Sequence, residues 1–274
     1  MFLGLIQDFD SNTATPLECY DHAWVLVKNN QFYLLSNICP HQQSKIAKCS
    51  TSTLSCPYHG LKFDLLGMGM GHDDFLEKKP VFELQNMLLS QDSNIEFPVN
   101  LSHMRLVEKR TESVKASVDV IMDVFLDIEH IPIVHPGVYD RIGIPDTSLL
   151  QYRTFDYGSV QYVPNNSVDH MHQDDVKYNL GACWMAVYPG TMIEWQPGAL
   201  FVTVARNVDD QTSAVEIYKY RDSRYWEESW ELNSDVWETA WTQDKELSEN
   251  ISGISFKNLD QLKQHHRNWI NCAL

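Results

Sequence analysis

Positive charge is scarce in this sequence: 21 Lys and Arg residues stand against 37 Asp and Glu residues among 274, a formal net charge of −16. Both parts of the chain are acidic, with 6 basic and 11 acidic residues up to residue 100 and 15 and 26 beyond it. Because a nucleic-acid backbone is bound mainly by Lys and Arg, this balance argues against a nucleic-acid partner.

Long apolar runs are also absent. No stretch approaches the roughly 18 uncharged residues that a membrane-spanning helix needs. The first ten residues, MFLGLIQDFD, contain no basic residue and reach an acid at Asp8, which is unlike a secretory signal. We therefore expect no membrane association and a cytoplasmic location.

The sequence contains no internal repeat, no low-complexity tract and no flavin- or nicotinamide-binding motif. Hydrophobic residues make up 43%, which is enough for an ordinary globular core. Irregular cysteine spacing in a chain of this size favours reduced thiols, some of them metal ligands, over a disulfide framework. The six cysteines are Cys19, Cys39, Cys49, Cys56, Cys183 and Cys272.

The first hundred residues have the pattern of short strands. Ala23–Lys28 and Gln31–Leu35 flank Asn29-Asn30, which predicts a β-hairpin. Further short apolar runs are separated by turns that contain Gly and Pro. A change of pattern near residues 95–103 predicts two domains, an all-β domain over 1–100 and a second domain over 101–274.

The second domain has the pattern of an α+β fold. Ser117–His130 has helical periodicity. Residues 150–220 have mainly the pattern of strands, and three of these are predicted at Cys183–Tyr188, Ala199–Arg206 and Ala214–Tyr220. Two helical stretches follow, over about 223–234 and 235–252.

Two short motifs combine a thiol with an imidazole. The first is C-P-H, from Cys39 to His41, and the second, 14 residues later, is C-P-Y-H, from Cys56 to His59. A [2Fe–2S] cluster with two thiolates on one iron and two imidazoles on the other needs this ligand set. Zinc accepts the same ligand types, although its sites more often pair like ligands in each knuckle.

The motifs resemble those of the Rieske domain, and the similarity extends through Gly60. The resemblance implies a [2Fe–2S] cluster held by the cysteine and histidine of each motif. Ser44 and Tyr58 stand where respiratory Rieske proteins place a disulfide, so the oxygenase or ferredoxin type is indicated. The sequence departs from the oxygenase pattern at Gln42-Gln43, where Arg-Gly is usual, and at Leu61, where Trp is usual.

A second set of potential ligands follows the first domain. On a helix, Asp123, Asp127 and His130 would share one face, because they are spaced i, i+4 and i+7. Pro132 predicts a bend or an end of the helix after His130. Such a bend would bring His135 to the same side as His130.

This pattern resembles the D-x-x-H-x₄-H signature of Rieske non-haem iron oxygenases. The resemblance implies that His130 and His135 bind one Fe(II) and that Asp127 bridges toward a Rieske histidine, His59 or His41, of a neighbouring subunit. It also places Asp123 near the iron.

Asp244 is the predicted third iron ligand, since such oxygenases use two His and one carboxylate. It lies within a largely apolar helix face, where an unpaired carboxylate is costly and a metal ion would supply the missing cation. The other members of that face are Trp237, Trp241, Ser248 and Ile251. The family usually has Glu-Asp here, where this chain has Gln243-Asp244.

The resemblance to the catalytic (alpha) subunit of these oxygenases covers nearly the whole chain. It implies a START-like (helix-grip) second domain, in which a curved antiparallel sheet holds a long C-terminal helix. It also implies a homotrimer that uses O₂ and electrons from a ferredoxin or flavin reductase to hydroxylate or demethylate a small organic substrate. Two alternatives stay open, a Rieske electron-transfer protein without oxygenase activity and a zinc-stabilised binding module.

Overall fold

The computed structural model describes residues 2–10, 14–19, 22–29, 31–46, 48–49, 53–84, 86–90, 97, 99–143, 150–156, 158–164, 171–178, 180–251 and 261–273. The chain divides into two compact units, Phe2–Glu96 and Phe97–Leu274. Each unit has its own buried hydrophobic core. No helix among the described residues combines the length and the hydropathy of a membrane span.

The first unit is built from strands. They are β1 (Phe2–Leu5), β2 (Ala14–Cys19), β3 (His22–Asn29), β4 (Gln31–Ser36), β5 (Lys48–Cys49), β6 (Thr53–Ser55), β7 (Lys62–Asp64), β8 (Lys78–Pro80), β9 (Phe82–Leu84) and β10 (Met87–Leu89). They form three antiparallel sheets in the orders β1-β10-β9, β2-β3-β4-β8 and β5-β6-β7. The predicted hairpin is present as β3 and β4, with Asn29 opposite Gln31, whereas Asn30 lies outside the described residues.

The core of the first unit surrounds the two motif cysteines. Cys39 and Cys56 are buried, and they pack within a cluster of apolar side chains from β3, β4, β6 and β7. The other buried members are Val25, Val27, Leu35, Ile46, Leu54, Phe63, Leu65 and Leu76. Hydrophobic burial therefore fixes the loops that carry the two motifs.

The second unit contains one seven-stranded antiparallel sheet. Its strands are β11 (Met104–Val114), β12 (Gln151–Phe155), β13 (Gly158–Pro164), β14 (Leu180–Val187), β15 (Thr191–Gln196), β16 (Ala199–Asp209) and β17 (Thr212–Asp222). Their order across the sheet is β11-β17-β16-β15-β14-β13-β12. The three strands predicted between residues 150 and 220 correspond to β14, β16 and β17.

Helices cover one face of this sheet. They are α1 (Val118–Leu126), α2 (Ile131–Val134), α3 (Glu227–Asn250) and α4 (Gln261–Ala273), and 3₁₀ turns occupy Ile128–His130, Tyr139–Ile142 and Val176–Tyr178. The main core combines sheet residues such as Phe201 with residues of α1 and α3 such as Ile121 and Trp237. The predicted α+β class, with a large antiparallel sheet and a long helix toward the C-terminus, is confirmed.

The prediction of two helical stretches over 223–234 and 235–252 was wrong. One helix, α3, runs without interruption from Glu227 to Asn250. Asn233, a polar residue that can favour a break, instead donates its side-chain N–H to the carbonyls of Ser229 and Pro197. Its polar side chain is thus satisfied without ending the helix.

The predicted helix over Ser117–His130 was too long. The helix α1 ends at Leu126, and Asp127 has an extended backbone with φ −83° and ψ 98°. The carboxylate of Asp127 accepts the backbone N–H of Glu129 at 3.0 Å, a local bond that competes with helix continuation. The chain therefore breaks at Asp127, while Pro132 lies in the first turn of α2.

Candidate metal centres

The two Cys-His motifs of the first unit form matching turns. The backbone N–H of Gln43 donates to the carbonyl of Cys39 at 2.9 Å, and that of Gly60 donates to the carbonyl of Cys56 at 3.0 Å. Both cysteines are buried, at 1% and 2% exposure, whereas the motif histidines are exposed.

The two turns bring their thiols and imidazoles together. The side chains of Cys39 and Cys56 contact each other. The rings of His41 and His59 lie 4.8 Å apart, centroid to centroid. Two inner thiols and two outer imidazoles are the donor set of a Rieske-type [2Fe–2S] cluster.

Hydrogen bonds stabilise negative charge on the thiols. Burial raises the pKa of Cys56, but the backbone N–H groups of Tyr58 and His59 and the hydroxyl of Ser44 outweigh it, so the pKa lies below its usual value. Burial and the neighbouring Cys56 raise the pKa of Cys39, although its sulfur accepts bonds from the backbone of His41 and Gln42. The contacts of Cys56 favour the thiolate form that iron needs.

Three side chains of the second unit converge on one point. The Oδ1 atom of Asp244 lies 3.2 Å from Nε2 of His130 and 2.9 Å from Nε2 of His135. The two Nε2 atoms are 3.0 Å apart. Among the described residues, this is the one group of three or more His, Cys, Asp or Glu whose ligand atoms are close enough for a metal ion.

These distances fit a face of an octahedral metal site. Three ligand atoms at about 2.1 Å from one ion and at right angles to each other lie about 3.0 Å apart. Hydrogen bonds do not account for this arrangement, because Oδ1 of Asp244 is buried without a hydrogen-bond partner in the described part of the chain. The donor set of two imidazoles and one carboxylate is that of a non-haem Fe(II) site with open positions.

Elements distant in sequence position this triad. His130 ends a 3₁₀ turn and His135 directly follows α2, whereas Asp244 lies on the buried face of α3. Burial would raise the pKa of Asp244, but the adjacent imidazoles of His130 and His135 hold it below its usual value. Burial would lower the pKa of His135, but its bonds to Asp244 and Gln243 raise it.

The other two predicted site residues have different partners. The carboxylate of Asp127 lies 2.6 Å from Nζ of Lys263 in α4. Asp123 pairs with Arg267, also in α4. Nδ1 of His130 is buried and has no hydrogen-bond partner in the described part of the chain. The predicted bridging role of Asp127 and the predicted place of Asp123 near iron therefore stay predictions.

Sequence reasoning did not identify two residues close to the triad. Gln243 lies 2.8 Å from Nδ1 of His135 through its Oε1 atom. Glu194 of β15 is buried and accepts hydrogen bonds from the indoles of Trp184 and Trp237. The sequence does contain a pattern that could have predicted a buried acid here, since Glu194 is the one acid inside the otherwise apolar segment Met192–Trp195.

Known proteins resemble this chain in its first domain and in its fold. Residues 1–76 match the family model of the Rieske [2Fe–2S] domain. The quaternary ammonium Rieske monooxygenase CntA, in its complex with L-carnitine, superposes over 100% of this chain and 87% of its own, with a TM-score of 0.69 and 14% identity. The chain has the fold of a Rieske oxygenase. The expected architecture of this family is thereby confirmed.

Two further proteins are similar to this Rieske-type chain. NdmA of Pseudomonas putida CBB5 superposes over 98% of this chain and 86% of its own, with a TM-score of 0.59 and 13% identity. The putrescine 2-hydroxylase of Ralstonia nicotianae is 25% identical over 214 residues, which cover 65% of this chain and 58% of the hydroxylase. The alignment thus spans less than two thirds of that relative.

Proposed function

We propose that this Rieske-type chain is the catalytic subunit of an oxygenase that uses O₂ and external electrons to hydroxylate or oxidatively demethylate a small organic substrate. The observation that carries the proposal is the convergence of His130, His135 and Asp244 in a chain that also has a Rieske domain. An electron carrier has no need of such a triad.

The residues divide into two metal-binding sets. Cys39, His41, Cys56 and His59 would hold the [2Fe–2S] cluster, and the triad would hold one Fe(II). When bound, the cluster supplies single electrons and the Fe(II) supplies the site of O₂ activation. Three protein ligands leave positions for O₂ and substrate, and Gln243 orients His135 through its Nδ1 atom.

Hydroxylation or demethylation is favoured over ring dihydroxylation. One relative is named a putrescine 2-hydroxylase, and CntA is named a monooxygenase. The sequence contains no flavin or nicotinamide motif, which supports a separate ferredoxin or flavin reductase as the donor. We place the enzyme in the cytoplasm, where such donors are found together with reduced thiols.

We further infer a homotrimer in which electrons cross between subunits, from His59 or His41 of one chain through Asp127 to His130 of the next. The structure of a quaternary ammonium Rieske monooxygenase gave insights into inter-subunit electron transfer in that protein. A head-to-tail interface that closes on itself forms a ring. Mixed rings of Cys39→Ser and Asp244→Ala chains should recover part of the activity, and the absence of rescue in verified mixed rings would contradict this route.

Iron content tests the proposal most directly. After anaerobic reconstitution the chain should hold about three irons, two in the cluster and one in the triad. Asp244→Ala should lower the count to about two and leave the visible spectrum of the cluster unchanged, whereas Cys39→Ser should remove the spectrum. Two irons per wild-type chain with full cluster absorbance would instead support the electron-transfer alternative, and a colourless zinc protein would support the binding module.

Turnover then identifies the reaction. With a reconstituted electron chain and ¹⁸O₂, mass spectrometry should show one labelled oxygen in a hydroxylated product, or loss of a methyl group as formaldehyde. Both His130→Ala and Asp244→Ala should abolish product while the cluster spectrum remains.

A further inference from the structure

Glu194 is an acid inside the core of the second unit. Its side chain is 6% exposed, and its neighbours in β15, Ile193 and Trp195, are 0% and 2% exposed. A buried carboxylate is costly unless a cation or hydrogen bonds compensate it. Among the described residues no Lys or Arg pairs with Glu194, and its hydrogen-bond donors are two neutral indoles.

The two indoles that donate to the carboxylate belong to different elements, one to a strand of the sheet and the other to α3. Nε1 of Trp184, on β14, donates to Oε2 at 3.0 Å, and Nε1 of Trp237, on α3, donates to Oε1 at 2.9 Å. An ionised carboxylate can accept about four hydrogen bonds. Each oxygen of Glu194 therefore keeps acceptor capacity for a further donor.

Strand register places Glu194 on the sheet face that α3 covers. Trp184 lies opposite Glu194, and Glu194 lies opposite Phe201, so the three side chains form a row across the sheet. The ring of Trp237 stacks on Phe201 at a centroid distance of 5.1 Å. Asp244 follows Trp237 by seven residues, about 10 Å farther along the same face of α3. Glu194 and the metal triad thus belong to one side of the sheet.

Aromatic rings connect Glu194 with the triad. The ring of Tyr139 lies 5.8 Å from that of His135 and 6.0 Å from that of Trp184, centroid to centroid. On the helix side, Trp241 stacks on Trp237 at 6.1 Å. Tyr139 and Trp184 each keep 8% of their surface accessible, although they belong to the core. Trp and Tyr faces attract cations.

Both acidic and basic groups lie around Glu194 and Trp237. Burial, together with the charge of Asp244, raises the pKa of Glu194 to about 7, although the two indoles and His135 act in the opposite direction. The nearest cation on the same sheet row is Lys219, opposite Phe201 in β17. Lys219 is already paired with Glu238 and Glu108. Lys219 and Arg110 lie over the ring of Trp237, but neither pairs with Glu194, so the carboxylate keeps its capacity for a cation of its own.

We propose that Glu194, framed by Trp184 and Trp237, binds the ammonium group of a cationic amine substrate and so presents a carbon of that substrate to the metal triad. This inference rests on the proposed oxygenase function.

Equilibrium binding by calorimetry to the anaerobic, iron-loaded full-length protein tests this assignment. The probes are 1,4-diaminobutane and its neutral counterpart 1,4-butanediol. The wild-type protein should bind the diamine in preference to the diol. Glu194→Gln, which keeps the shape of the side chain but removes its charge, should weaken diamine binding by about 30-fold or more. Its iron content, cluster spectrum and melting temperature should stay close to wild type.

Two variants keep the result interpretable. Glu216→Gln removes an acid of the same sheet that pairs with Arg206, and it should leave diamine binding unchanged. If Glu194→Gln does not fold, Glu194→Asp, which retains the charge, should still prefer the diamine to the diol. Equal binding of both probes by the wild type, or unchanged diamine binding by a folded Glu194→Gln protein, would overturn the assignment. Neither binding result changes the iron count or the incorporation of labelled oxygen, and these are the two measurements that test the proposed function.

Discussion

His135 and Gln243 are hydrogen-bonded through the ring nitrogen that does not face Asp244: Nδ1 lies 2.8 Å from Oε1 of Gln243, while Nε2 lies 2.9 Å from Oδ1 of Asp244. An amide oxygen only accepts, so Nδ1 carries the proton and the lone pair of Nε2 is directed to the triad. Gln243 and Asp244 are adjacent in α3. One helix therefore supplies both a proposed metal ligand and the residue that orients another proposed ligand.

Gln243→Leu should weaken Fe(II) binding by about 10–100-fold, because partners that orient metal-binding imidazoles contribute affinities of this size. Competition with a calibrated chelator under anaerobic conditions measures the change. Gln243→Glu keeps the acceptor and should retain tight binding. Thr242→Ala, at an exposed position of the same helix, is the matched control. Unchanged iron affinity in the Leu variant would mean that His135 is oriented by its packing alone.

Asp127→Asn should lower turnover by about 10–100-fold while both metal sites stay occupied, since it changes charge and hydrogen bonding but little of the shape. The relevant measurement is the rate at which a pre-reduced cluster is reoxidised in a single turnover with substrate and O₂. Glu129→Gln alters an exposed acid two residues away and is the control. A wild-type reoxidation rate in Asp127→Asn would remove this residue from the electron path.

Gln43→Gly should stabilise the cluster-binding turn. Gln43 has a φ of 55°, in the left-handed region that costs most side chains about 1 kcal/mol, and it stands where oxygenases of this family usually have Gly. The greater freedom of Gly in the unfolded chain offsets part of the gain. We expect a rise in the thermal midpoint of cluster loss, followed by visible absorbance. Gln42→Gly, at a position without positive φ, should lower that midpoint instead.

His266 should make the protein less stable below pH 6.5. Its ring is fully buried in α4, with Nε2 3.1 Å from the carbonyl of Pro189, and burial lowers its pKa from 6.5 to about 4. Between these values the unfolded chain binds the proton and the folded chain does not, so stability falls as pH falls, by up to about 3 kcal/mol.

Urea unfolding of wild type and His266→Gln at pH 7 and pH 4.5 measures this contribution. The variant should lose less free energy of unfolding over the interval than the wild type does. His265→Gln is the matched control for removing an imidazole from the same helix. Equal pH dependence in wild type and His266→Gln would assign the acid sensitivity to other groups.

The sequence was most informative where ligands are close together. The spacing of Cys39, His41, Cys56 and His59 places two short turns around one core, and the structure brings those side chains together. His130 and His135 were predicted as ligands from the resemblance of their pattern to a family signature, and Asp244 was predicted because a charge on an apolar helix face needs a partner; the structure brings the three side chains together. The same argument applied to Glu194 would have identified an acid in an apolar strand.

Long-range pairs could not be predicted. Lys263 and Arg267 pair with Asp127 and Asp123 across about 140 residues, and no local pattern encodes such contacts. The helix limit at Asp127 was missed for a different reason. The periodicity of apolar residues continues past it, but the backbone N–H of Glu129 donates a hydrogen bond to the carboxylate of Asp127, and this local bond competes with the regular backbone.

The two proposed metal sites differ in how much chain separates their ligands, and we expect this difference to set an order of assembly. Cys39 and His59 lie within one unit, whereas Asp244 is made 185 residues after His59. At about 5–20 residues per second, translation needs about 10–40 s to cover that interval, and units nearer the N-terminus fold first. The cluster loops can therefore form on the ribosome while the Fe(II) ligands are still incomplete. Cluster insertion can precede Fe(II) loading during synthesis, and nascent chains stalled before α3 should accept the cluster without the third iron.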